Sequence, residues 1–401
     1  MKMKKKTLWS LLLLAVLAMA LTLAACGSDD SVSKTEDPAS GENPGGNSLI
    51  AAEDVSGQLT CDRSMKLDYA EEFSVDYYKE GHVLLSISDG TQYLLVPEDG
   101  EAPSDVPKQI TVLQRPVSNV YMVASAVMDM YASIDAMDQI RFSALKEGAW
   151  YVEEAREAMA DGDILYAGKY SAPDYELILS EGCGLAIENT MILHSPEVKE
   201  QLESFDIPVL VDRSSYEKTP QARMEWVKLY GVICGKEREA EEVFDQQVAA
   251  IEEGKDGGDG TQTVAFFYIT SSGGVNVRKS SDYLPKMIQL AGGKYIFDDL
   301  GDADNMASST MTMQMEDFYA AAKDADYMIY NSSIEGELPD LESLLAKSPL
   351  LEKCKAVQEG HVYCTTKNLY QASMELGTMI GDFSRMLTGR DDEMTYMYRL
   401  K

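Results

Sequence analysis

Apolar and polar positions change rhythm several times along the chain. A largely apolar run covers Leu8 to Leu23, behind the lysines at 2, 4, 5 and 6 and ahead of the small residues Ala24 and Ala25. It is barely long enough to cross a bilayer core of ~30 Å, and with its basic start it reads as a secretory signal over residues 1–25. Residues 26–60 are rich in Gly, Ser, Asp, Asn and Pro, bury little, and are predicted to form a flexible tether. The pattern then turns to short alternating runs. Phe73–Tyr78, His82–Ile87 and Thr91–Val96 are predicted strands, and Ser88-Asp89-Gly90 closes the last two into a hairpin within an extension over 61–108.

From residue 109 strands and helices alternate, the mark of an α/β fold with a mostly parallel sheet. Ile110–Leu113 is predicted as a first strand, Val120–Ile134 as an apolar helix and Glu153–Ala160 as a second helix. Leu185–Ile187 and Val209–Val211 are short buried strands by the same reading. Thr219-Pro220 opens a helix that stops at Gly235, closing an N-terminal α/β lobe over 109–235. A further helix over 236–254 carries Ala240, Val243, Phe244, Val248 and Ile251 at helical spacing. A glycine-rich break follows it. Thr263–Ile269 then begins a C-terminal α/β lobe over 260–401.

The two halves echo one another. Pro173–Leu179 leads into Leu185–Ile187 and the polar Glu188-Asn189-Thr190. Met315–Tyr319 leads into Asp326–Tyr330 and Asn331-Ser332-Ser333. Each is a short helix bearing a glutamate, then a strand, then a polar loop.

Leu23-Ala24-Ala25-Cys26 resembles the lipobox of bacterial lipoproteins. That resemblance implies a diacylglycerol on the Cys26 thiol, cleavage before it, and a body held outside the cytoplasm on the cell membrane. Over residues 110–390 the chain resembles the substrate-binding lipoproteins of ABC importers, in the helical-linker class that handles ferric siderophores, cobalamin and haem. The resemblance is carried by the order and spacing of Pro173–Leu179, Ile207–Val211, Arg223–Gly231, Leu290–Gly293 and Lys355–Tyr363. It implies two Rossmann-like α/β lobes joined by a single long helix, with a ligand cleft between them. It also implies docking on the importer's transmembrane permease through one exposed glutamate per lobe, and Glu176 and Glu316 occupy the matching positions. The segment 61–108 departs from the usual short N-terminus of that class.

Composition narrows the partners. The formal charge of −32 over 401 residues opposes nucleic acid and flat adsorption on anionic lipid, so membrane contact is expected through the lipid anchor only. Of six cysteines, five remain once Cys26 is set aside. There is no C-x-x-C pair, and Cys354 with Cys364 is the nearest couple for a bridge. His82, His194 and His361 lack ligand spacing, so neither a bare-metal centre nor a cofactor is expected. The chain is expected to be a monomer that takes a small-molecule metal chelate.

In open α/β lobes ligands gather beyond the carboxyl ends of the strands. The candidates on that rule are Tyr121, Trp150, Tyr166, Lys169, Tyr170, Asn189 and Tyr216 from the first lobe. The second offers Arg278, Tyr283, Asn331, Lys367 and Tyr370. Twenty-two tyrosines against nine phenylalanines suit a ligand that needs apolar flanks and hydrogen bonds together. Lys169 and Arg278 could neutralise an anionic chelate. Ser271-Ser272-Gly273-Gly274 lacks the endings of a phosphate loop and is read as a tight turn. Met306, Met311, Met313 and Met315 are read as adaptable packing.

No nucleophile elbow or His-Glu-x-x-His motif is present, which opposes an enzyme. Histidine poverty opposes a zinc or manganese receptor, and the paired lobes oppose an adhesive role. The expected function is capture of a ferric siderophore for an ABC importer, with cobalamin or haem as alternative cargo.

Overall fold

In the computed structural model, residues 49–255, 257–301 and 309–401 are described. The signal, Cys26, the tether up to residue 48, and Met306 lie outside them. Among the described residues no helix is long and apolar enough to cross a membrane.

Three sheets organise the chain. The first is a five-stranded sheet of β1 (Cys61–Ser64), β2 (Phe73–Tyr78), β3 (Val83–Ile87), β4 (Gln92–Val96) and β5 (Ile110–Gln114) in that order. Neighbours from β1 to β4 are antiparallel, and the turn at Gly90, with φ of 90°, joins β3 to β4 as the sequence suggested. β5 pairs parallel to β4. Ile110–Leu113 therefore completes this first sheet and does not start the α/β lobe; its pairing partner is chosen by tertiary contact, which local pattern does not report. The sheet buries Phe73, Val75, Leu85 and Tyr93 against the first lobe, and Phe73 meets Trp226 edge-on at 5.0 Å.

The first lobe holds a wholly parallel sheet. Its strands are β6 (Val120–Met122), β7 (Ile140–Ser143), β8 (Leu165–Tyr166), β11 (Leu185–Asn189) and β12 (Val209–Asp212), ordered β12-β11-β6-β7-β8. Two-residue strands β9 (Gly168–Lys169) and β10 (Ala172–Pro173) pair beside it. The predicted helix Val120–Ile134 is in fact β6 followed by helix α1 (Ser125–Ser133). A short apolar run of Val, Tyr and Met fits a fully buried parallel strand as well as it fits a helix, and only the pairing with β7 and β11 decides. Helix α2 (Tyr175–Ser180) follows, capped by the Asp174 side chain accepting from Leu177 N–H.

Helix α3 (Pro220–Cys234) starts at the Thr219 cap, has proline in its first turn and stops at Gly235 in the left-handed region. Every residue in it is buried. Helix α4 (Glu237–Gly254) runs next in the chain and leads to the second lobe. It packs closely on α3, because a Cβ on Gly231 would come within 2.5 Å of Ala240 Cβ.

The second lobe is built on β13 (Thr263–Ile269), β14 (Val275–Arg278), β15 (Lys294–Tyr295), β16 (Thr310–Met313), β17 (Tyr327–Tyr330), β18 (Val362–Thr365) and β19 (Met397–Arg399). The order is β16-β14-β13-β17-β18-β19, with β15 beside β13. The central strands β13, β17 and β18 are parallel; β14, β16 and β19 are antiparallel to their neighbours. Ser271–Gly274 is the turn between β13 and β14, closed by Thr270 N–H donating to Gly274 O at 2.8 Å. Helices α5 (Tyr283–Leu290), α6 (Met315–Ala322) and α7 (Ser332–Glu335) are followed near the C-terminus by α8 (Leu376–Leu387), which packs on α4.

Buried charge welds the N-terminal sheet to the first lobe. Glu225 on α3 is fully buried; it accepts the N–H groups of Asp68, Tyr69 and Ala70 at 2.8–2.9 Å and pairs with Lys228 at 3.2 Å. Glu217 accepts from Glu71 and Glu72 N–H and from the Trp226 indole. A buried carboxylate is stable there because several donors converge on it. Among the described residues all five cysteines are free, Cys354 and Cys364 included.

Candidate functional site

The order of the parallel strands fixes where a ligand can sit. In the first lobe the chain leaves β6 toward β7 on one side and later returns to β11 on the other. The loops after β6 and β11 therefore diverge and open a crevice at their carboxyl ends. In the second lobe the same divergence lies between β13 and β17. A cavity of about 280 Å³ occupies the space between these edges. The first lobe lines it with Ala124, Ser125 and Ala126 after β6, Asn189 at the end of β11 with Thr190 and Met191 behind it, Asp212 at the end of β12, and Ser215 and Arg223. The second lobe contributes Arg278, Asp282, Tyr283, Ser309 and Tyr370.

Most of these polar groups are held by neighbours. Arg278 is fixed at its backbone by two hydrogen bonds with the Tyr295 hydroxyl, at 2.8 and 3.0 Å. Its guanidinium pairs with Asp282 at 3.2 Å, donates to Ser309 Oγ at 3.3 Å and to the Tyr370 hydroxyl. Tyr370 also accepts from Asn331 Nδ2 at 2.8 Å. Asp282 is at the same time the cap of α5, accepting from Leu284 N–H. Asn189 accepts from Met191 N–H and donates to Val123 O, so its loop is set by its own side chain.

Asp212 has both oxygens engaged, by Ser214 Oγ at 2.7 Å and the Tyr230 hydroxyl at 2.8 Å. Burial pushes its carboxyl up, and those hydroxyls and the positive charge of Arg223 pull it back. Arg223 is buried at 8% exposure and lies over the Tyr283 ring of the opposite lobe at 4.6 Å.

The lobes meet again beside the cavity. Ser373 Oγ donates to Ala126 O at 2.5 Å, Met374 N–H to Asp129 Oδ2 at 2.7 Å, and Tyr151 N–H to Gln371 Oε1 at 2.7 Å. Burial pushes Asp129 up to about 6, and the nearby carboxylates of Glu375 and Glu154 add to it.

Of the residues singled out in the sequence, Asn189, Arg278, Tyr283 and Tyr370 line the cavity, and Asn331, almost fully buried, steadies Tyr370 from behind. Others do not. Tyr121 is fully buried and donates to Gly168 O at 2.8 Å; Trp150 is buried and donates to Ser143 Oγ at 2.9 Å. Both are core residues with satisfied polar atoms, because their side chains point into the lobe. Tyr166 is exposed beneath the Lys146 ammonium, Lys169 is exposed, Tyr170 is half-buried at the edge of the core, and Tyr216 lies under Arg213. Lys367 is exposed. None of these five lines the cavity. Sequence reasoning passed over Ser125, Asp212, Arg223, Asp282 and Ser309. Arg223 carried a signal, since it shares a helical face with the buried Trp226 and Tyr230, where a cation is out of place.

Glu176 and Glu316 stand in the first turns of α2 and α6. Both are exposed, and neither has a side-chain hydrogen bond or ion pair among the described residues. Among the described residues no group of three or more His, Cys, Asp or Glu side chains could hold a metal ion.

Residues 152–369 match the model of the family described as periplasmic binding protein. An uncharacterized lipoprotein of Methanocaldococcus jannaschii is 25% identical over 342 residues, covering 77% of this chain and 78% of that protein. A periplasmic haem-binding protein of Pseudomonas aeruginosa superposes with a TM-score of 0.56 at 12% identity, over 71% of this chain and 98% of that one. A protein of an ABC-type Fe3+-hydroxamate transport system from Saccharomonospora viridis superposes with a TM-score of 0.50 at 15% identity, over 67% of this chain and 91% of that one. With more than half of its length matched by the family model, and with two sheet-bearing lobes around a cavity, this chain belongs to the periplasmic binding protein family.

Proposed function

We propose that this chain is an extracytoplasmic receptor that binds an iron chelate between its lobes and delivers it to an ABC importer, without turning it over. The observation that carries this is the placement of the cavity. It lies at the carboxyl ends of parallel strands in both lobes, lined by two arginines, two aspartates, two tyrosines and small polar groups. A ferric siderophore is the first choice of ligand. Haem is the second reading, favoured by the likeness to a haem-binding protein; cobalamin is a third.

In this reading the first lobe lies within residues 109–235 and starts at β6, the second is residues 260–401, and α4 within 236–254 is the link about which they move. Ligand must bind the closed arrangement better than the open one for the importer to tell them apart. The unpartnered Glu176 and Glu316, one per lobe, would then meet basic residues of the permease at a spacing set by closure. Anchoring through a lipidated Cys26 would keep the monomeric receptor at the membrane, and the relative from Methanocaldococcus jannaschii, a lipoprotein, supports that.

The test is thermal unfolding of the protein with ferric siderophores, haemin, cyanocobalamin, Zn²⁺ and Mn²⁺. A ligand at about 100 times its Kd stabilises the folded form by about 2.7 kcal/mol, which shifts the melting temperature measurably. A shift with one chelate supports the reading. A shift with bare Zn²⁺ or Mn²⁺ alone would overturn it.

A further inference from the structure

Eleven arginines lie in the described chain, and ten are accounted for. Nine form ion pairs, and Arg390 donates to Thr388 Oγ1. Arg223 alone has neither a side-chain hydrogen bond nor an ion pair among the described residues. It is also one of the most buried, at 8% exposure, and it lines the cavity. A guanidinium carries five N–H donors in a planar fork, and leaving them unpaired in a buried setting is costly.

Its neighbours do not remove that cost. The Tyr283 ring gives it a face to lie on at 4.6 Å but accepts no directed N–H bond. Asp212 is the nearest acid in charge terms, yet its oxygens are held by Ser214 and Tyr230 and it stands beyond ion-pair distance. Asp282, the other acid lining the cavity, is committed to Arg278. The cavity therefore contains one neutralised arginine and one free arginine, inside a chain whose net charge is −32. A local cation in a strongly acidic body focuses attraction on one spot.

Resting on the receptor reading above, we propose that Arg223 is the anion anchor of the cleft, and that the ligand is a negatively charged, carboxylate-bearing chelate that meets its guanidinium with two oxygens. A bidentate carboxylate matches the planar fork and satisfies the donors the protein leaves open. Because Arg223 comes from the first lobe and its Tyr283 platform from the second, the anchor is complete only when the lobes are together. Neutral chelates would leave the guanidinium unpaired and are selected against.

The experiment is tryptophan-fluorescence quenching of the full-length chain titrated with four probes. Haemin and ferric citrate carry carboxylates; ferrichrome, a neutral ferric trihydroxamate, and cyanocobalamin do not offer that charge. The same titrations are run on Arg223→Gln and Arg223→Lys, with thermal melts checking that each variant folds. The expected result is binding of at least one carboxylate chelate in preference to both neutral probes. Arg223→Gln should weaken it by about 10- to 100-fold, the scale of a hydrogen-bonded charge, and Arg223→Lys by less. If Arg223→Gln does not fold, Arg223→Lys must still lose affinity for the carboxylate probe more than for the neutral ones. Equal or tighter binding of a neutral chelate, or an unchanged affinity in both variants, overturns the anchor and leaves the receptor standing. Silence toward all four probes overturns both.

Discussion

Replacing Glu188 by glutamine should change how the stability of the first lobe depends on pH. Glu188 lies on β11, one residue before Asn189 of the cavity, with no exposed surface and with both carboxyl oxygens lacking a hydrogen-bond partner. Burial alone pushes its carboxyl from the ordinary 4.5 up to about 8. The folded state thus holds a proton that the unfolded chain has released. Between pH 4.5 and about 8 each added pH unit costs about 1.4 kcal/mol, and above about 8 the loss levels off. The loss amounts to about 3 kcal/mol at pH 7 and about 5 kcal/mol at its plateau. Glutamine has nearly the same shape and does not titrate. Urea unfolding of both proteins at pH 5, 6.5 and 8, followed by tryptophan fluorescence, isolates the effect, because other shifted groups such as Asp129 titrate in both and cancel. The variant should gain on the wild type by about 3.5 kcal/mol from pH 5 to pH 8. Parallel pH profiles would refute the reasoning and mean that Glu188 is ionised or hydrated in the folded protein.

Two further outcomes are expected. Glu225→Ala strands three backbone N–H groups of residues 68–70 and the buried Lys228 ammonium. It should cost about 3–5 kcal/mol in urea unfolding, the scale of breaking a buried pair, and Glu225→Gln should cost less. Charge reversal at both proposed docking positions, Glu176→Lys with Glu316→Lys, should abolish chelate uptake in cells while leaving ligand affinity and melting temperature unchanged; retained uptake would remove these residues from the proposed docking role.

Several elements could be read in the sequence because their signals are local. Helix α3 announces itself with Thr219-Pro220 at one end and Gly235 at the other, and the β3–β4 hairpin with Asp89-Gly90 between apolar runs. What failed was decided by partners distant in the chain. Ile110–Gln114 is a strand in either reading, but its parallel pairing with β4 assigns it to a different sheet. Val120–Met122 is too short and too uniformly apolar to declare its period. Within the cavity, Arg278 and Tyr370 were found by following strands to their carboxyl ends. Tyr121 was placed after Ile110–Leu113 taken as the lobe's first strand, but it lies inside β6, and Trp150 was taken for a loop residue; both are core. Arg223 was missed although it shares a helical face with Trp226 and Tyr230, because the ends of α3 say where the helix lies and not that its charged positions are buried too.

The central claim, that the space between the two lobes is the ligand site, is tested most directly by a crystal structure of the protein with the chelate that raises its melting temperature most. The expected result is anomalous density for one metal between Asn189 and Arg223 of the first lobe and Arg278 and Tyr370 of the second. Metal density on the N-terminal sheet or on an outer face, with that cavity filled by side chains, would contradict it.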